Sequence, residues 1–121
     1  MSTIKANTLL HSDGSTTTQP SIPALAPTMA KAWINFRMDT QAIRTSFNIS
    51  SITDAGVGKT TISMTNAVTL DRVVTGISAS SGFVSLYSQP TTTTDMGTYR
   101  CFHNNGTSTD FTYVALAVFA N

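Results

Sequence analysis

The 121-residue chain carries 7 Lys and Arg against 6 acidic residues, a formal net charge of +1, and only 11% charged residues. That balance supplies no basic patch for nucleic acid or for an anionic membrane, both of which are bound through clustered cations. The length fits one domain with a modest core; 22 Thr and 14 Ser beside 3 Lys and no Glu leave helical surfaces without their usual side chains and point to an all-β protein.

Residues 1–29 read as an extended N-terminal arm. Ile4, Ala6, Thr8 and Leu10 alternate like a short strand. His11-Ser12-Asp13-Gly14 supplies an Asp-Gly turn, after which residues 15–18 return as a second strand. Pro20, Pro23 and Pro27 then fix φ and remove ladder donors, which makes a stiff linker.

The compact domain is expected over residues 30–121. Over Lys31 to Met38, Ala32, Ile34, Phe36 and Met38 share one face, opposite Lys31, Trp33, Asn35 and Arg37. Ile43, Thr45, Phe47 and Ile49 form the next apolar face, with a phase slip at Ser50-Ser51-Ile52 of the kind a bulge or strand end requires. Asp54 to Gly58 is a turn, and Thr60 to Thr65 resumes the alternation. Val73 to Ser78, Phe83 to Ser88, Thr98 to His103 and a final strand complete about seven short strands with Gly, Asn and Ser breaks. This spacing predicts an antiparallel β-sandwich, jelly-roll-like.

The final run, Thr109 to Ala120, is apolar on both faces. Phe111, Tyr113, Ala115, Ala117 and Phe119 fall on one side, with Val114, Leu116 and Val118 on the other. A strand apolar on both faces needs cover on both. One small core covers only one, so a second subunit is expected on Val114, Leu116 and Val118, with Trp33 beside them.

Chemistry finds little footing. Ala55-Gly56-Val57-Gly58-Lys59-Thr60-Thr61 resembles a phosphate-binding loop, but Thr53 stands where its first glycine belongs and a β-branched run follows where a helix is needed. Cys101 is the single cysteine, which excludes an internal disulfide and a multi-cysteine zinc site; it reads as a small buried hydrophobe. Cys101 and His103 share a strand face, too few ligands for a closed metal site within one chain, although a trimer axis with three His103 side chains is a way to build one. The six aspartates are scattered, and no Gly-x-Ser-x-Gly elbow exists. The reading is a non-enzymatic protein without cofactor. Asn48-Ile49-Ser50 and Asn105-Gly106-Thr107 match the glycosylation triplet by chance, because the N-terminus has no apolar h-region for export. No run approaches the ~20 apolar residues of a membrane span.

Ala30-Lys31-Ala32-Trp33-Ile34-Asn35-Phe36, Ala42-Ile43-Arg44, and Ser46-Phe47-Asn48-Ile49-Ser50-Ser51-Ile52-Thr53-Asp54 together resemble a β-rich domain of tail-fibre and related virion proteins of tailed bacteriophages. The closing Tyr113-Val114-Ala115-Leu116-Ala117-Val118-Phe119 is similar to the end of that domain, and Met1-Ser2-Thr3-Ile4-Lys5-Ala6-Asn7 to its short opening segment. Residues 66–97 match it only loosely, and Lys59-Thr60-Thr61-Ile62 stands where an aromatic is expected. The resemblance implies a homotrimeric virion appendage, a tail fibre or receptor-binding protein; a capsid decoration or cement protein is the alternative. On this reading Ile4, Ala6 and Leu10 anchor the arm to other virion proteins. Thr91, Thr92, Thr93, Thr94, Asn104 and Asn105 then lie in loops facing a host surface glycan.

Overall fold

The computed structural model describes residues 3, 5–8, 10–14, 28–78 and 82–120. Eight strands run in chain order: β1 (Ala30–Arg37), β2 (Ala42–Phe47), β3 (Ile49–Asp54), β4 (Lys59–Met64), β5 (Arg72–Ser78), β6 (Gly82–Ser88), β7 (Asp95–His103) and β8 (Val114–Ala120). They form two antiparallel four-stranded sheets, β2-β1-β8-β5 and β3-β4-β7-β6, stacked as a β-sandwich. The chain crosses between sheets at β2–β3, β4–β5, β5–β6 and β7–β8, which gives the sandwich its jelly-roll-like winding.

The core follows from strict period-2 burial. Ala32, Ile34 and Phe36 of β1, Thr60, Ile62 and Met64 of β4, Tyr99 and Cys101 of β7, and Val114, Leu116 and Val118 of β8 are buried between the sheets. Met38, Met96 and Phe111 close the core beyond the regular alternation.

Several sequence expectations need correction. The run from Ile43 to Ile49 is two strands, because Asn48 adopts φ 57° and sends the chain from one sheet to the other. Ile43, 40% exposed, therefore contributes little to the core. The anticipated phase slip is a register shift between Ile49 and Ser51. The final strand begins only at Val114; residues 109–113 wrap the end of the sandwich, and Phe111 turns inward as a plug whose carbonyl accepts from the Met38 N–H at 2.9 Å.

In the arm, the Asp-Gly turn is present, with the Gly14 N–H donating to the His11 carbonyl at 2.8 Å. No strand forms among the described residues 3–14, since none of them pairs with a neighbouring ladder. Ile4, the three prolines and the return strand at 15–18 lie outside the described residues.

Candidate oligomer interface

The two outer faces of the sandwich differ in chemistry. On the β2-β1-β8-β5 sheet, register places Phe47, Trp33, Ala117 and Thr75 in one row across the four strands. Thr45, Asn35, Ala115 and Ile77 form the next row, and Phe119 pairs with Val73 beyond. These rows contain no ionisable side chain; Lys31 and Arg37 on the same face of β1, and Arg44 at 6.0 Å from the Tyr113 ring, border them. Trp33 is 38% exposed, Ile77 60% and Val73 67%, around a shallow floor of Ala115 and Ala117. Asn35 brings a further mark: its Oδ1 has no hydrogen-bond partner.

The β3-β4-β7-β6 sheet presents hydroxyls and cations across its middle. Thr53, Thr61 and Thr98 form one row, with Thr61 and Thr98 sharing a 2.8 Å hydroxyl hydrogen bond. Lys59 Nζ lies 4.2 Å above the Tyr87 ring, and the Arg100 guanidinium 5.3 Å from the Phe102 ring. Charged heads over aromatic faces suit a solvated surface.

This asymmetry corrects the sequence reading of the interface. Val114 and Val118 are fully buried and Leu116 is 3% exposed, so all three belong to the sandwich interior. The pleat sends alternate side chains of β8 to opposite faces, and the larger aliphatic set went to the core. The outer face of β8 instead carries Ala115, Ala117 and Phe119, beside Trp33 of β1. Sequence pattern detected both faces of the strand; it could not say which one the second sheet covers. Phe47, Val73 and Ile77 joined the surface only through strand order.

The two predicted loop sets stand apart. Thr91 to Thr94 precede β7 and Asn104 and Asn105 follow it, so nine strand residues, roughly 30 Å, separate them. Thr91–Thr94 side chains are exposed, but the backbone is pinned: Thr93 and Thr94 carbonyls accept from Val68 and Met64 at 2.8 and 2.7 Å. Through Asn48, Asn66 and Lys31 that loop adjoins the start of β1, where the arm enters. Asn104 and Asn105 sit at the opposite end in a turn closed by Gly106 N–H to the His103 carbonyl, 2.8 Å. Of the proposed anchor residues, Ala6 and Leu10 are exposed.

Among the described residues no group of three or more His, Cys, Asp or Glu forms a metal cluster. Cys101 is buried, and burial with the nearby Asp110 carboxylate pushes its thiol up to about 12. His103 meets Phe111 edge-on at 5.2 Å, on the sheet opposite the apolar outer face, so that face brings no His103 to an axis. The loop from Ala55 leads straight into β4 rather than a helix. Gly58 donates its N–H to Asp110 Oδ1 at 2.6 Å, so the turn is tied to the protein rather than open to a phosphate. No helix among the described residues is long and apolar enough to cross a membrane.

Comparison with known protein families, curated proteins and solved structures finds no match for this chain.

Proposed function

We propose that the chain is a homotrimeric structural protein of a bacteriophage virion, acting as a tail fibre or receptor-binding appendage. The observation that carries the self-association is the apolar patch on the outer face of the β2-β1-β8-β5 sheet, where Trp33, Phe119, Val73 and Ile77 surround Ala115 and Ala117, bordered by Lys31, Arg37 and Arg44. A contiguous apolar centre with charges kept to its rim marks an interface. The virion setting rests on the resemblance of residues 30–54 and 113–119 to tail-fibre domains.

An arm that docks at the Ala30 end leaves the other end of the sandwich outermost. Asn104 and Asn105 are there, with the turn at Ala55 to Val57 on the same end of the β3–β4 hairpin. Neutral amides suit a glycan, and three copies multiply a weak affinity. Thr91 to Thr94, beside the arm, then belong to the docking side. Labelling intact virions with an antibody against the sandwich tests this. Label at the tail supports the appendage; label at capsid lattice positions makes the chain a decoration protein; absence from virions overturns the reading.

A further inference from the structure

β5 and β6 are edge strands of opposite sheets and face one another along one side of the sandwich. The other side is closed by the continuous crossing from Phe47 to Ile49, whereas here the sheets part around a cleft of about 500 Å³. That volume is in the range of small-molecule sites. Val74, Val84, Leu86, Met96 and Leu116 give it apolar walls. Gly76 has no side chain to spare, because a Cβ there would run into Leu116 Cδ2.

One cation lines this cleft. Arg72 Nη2 donates to the Thr92 carbonyl at 3.4 Å, Nη1 lies 3.9 Å from Met64 Sδ, and Nε is buried without a partner. Among the described residues no carboxylate pairs with Arg72. Asp95, the acid at the start of β7, is committed to the N–H groups of Gly97 at 2.8 Å and Thr91 at 3.1 Å. The Tyr99 hydroxyl in the same lining donates to the Met96 carbonyl at 2.9 Å. Among the described residues, nothing compensates this guanidinium, which keeps an unmet donor beside apolar walls and so favours an anion. Residues 1–29 do not offer one readily, since their single acid, Asp13, lies 3.1 Å from His11.

We propose that this cleft binds an amphipathic monocarboxylate, its apolar body between β5 and β6 and its carboxylate on Arg72. Calorimetric titration of the full chain with octanoate, 1-octanol and acetate tests it. Octanoate is expected to bind saturably at one site per chain, with octanol and acetate weaker by about tenfold or more, the scale of a charge-assisted hydrogen bond. Arg72→Met should lose about tenfold in octanoate affinity, and Leu86→Trp, which fills the cleft without touching the charge, should block it. Equal binding of octanoate and octanol to the wild type, undiminished binding by Leu86→Trp, or no saturable octanoate binding would overturn the proposal; none of the three depends on how Arg72→Met folds.

Discussion

Asn48 and Asn66 clasp one another: the Asn66 N–H donates to Asn48 Oδ1 at 2.6 Å, and Asn48 Nδ2 donates back to the Asn66 carbonyl at 3.2 Å. The same Nδ2 reaches the Lys31 carbonyl at 2.9 Å, so one amide ties β1 to the connection after β4. It does so at the crossing between sheets, in a left-handed conformation that Asn tolerates better than most residues. Asn48→Ala should lower the unfolding free energy by about 1–3 kcal/mol, the cost of leaving such groups unpaired plus the backbone strain. Asn48→Gly removes the bonds but suits the backbone, and should cost less. Urea midpoints read both; unchanged midpoints would mean the clasp contributes nothing.

Gly58 and Gly56 form a second matched pair. Both have positive φ, but a Cβ on Gly58 would stand 2.7 Å from the Cys101 carbonyl oxygen and the Thr109 nitrogen, while at Gly56 nothing lies within 4 Å. The neighbours of Gly58 are backbone and cannot step aside. Gly58→Ala should therefore destabilise by several kcal/mol and Gly56→Ala by about 1 kcal/mol. Comparable losses at the two sites would contradict the close-approach argument.

The fold was largely legible because burial writes a period of two. Ala32-Ile34-Phe36 and Thr60-Ile62-Met64 declare their inner faces in the chain itself. Two features escaped for physical reasons. The break at Asn48 depends on a single φ, and the residues on either side keep alternating through it. The choice between the two faces of β8 depends on which sheet stacks where, a long-range fact that no local pattern carries. For the same reason the cleft at Arg72 was invisible: β5 and β6 are consecutive in the chain, but only strand order makes both of them edges.

Alkaline stability follows from two buried acids. Burial pushes the Tyr99 hydroxyl up to about 12, with Asp95 adding to the rise and Arg72 opposing it, and the Cys101 thiol also stands at about 12. Both groups are protonated in the fold at pH values where the unfolded chain has released those protons, so unfolding is favoured as pH rises. Stability should be level in these groups below about pH 9 and fall progressively from there towards about 12. Denaturant titrations across that window check the slope, and Cys101→Ala should flatten part of it. Native Cys101 should also resist thiol reagents at pH 8 and react on unfolding.

Surface and core positions on the adjacent strands β1 and β8 should separate cleanly. Trp33→Asp places a charge on the outer face, where it should release folded monomers with unchanged circular dichroism. Val118→Asp buries an unpaired carboxylate in the sandwich, a cost of about 3–5 kcal/mol that should unfold much of the protein. If Trp33→Asp unfolds the chain, the tryptophan belongs to the core and the interface lies elsewhere.

On the proposed reading, the patch around Trp33, Ala115 and Ala117 is buried against copies of the same sandwich. Light scattering on the 121-residue chain after size exclusion reads that directly. The expected mass is three copies of the 12.9 kDa chain, reduced to a single copy by Trp33→Asp. A wild-type protein that is folded and elutes as one 12.9 kDa chain at all concentrations would mean that the sandwich does not self-associate.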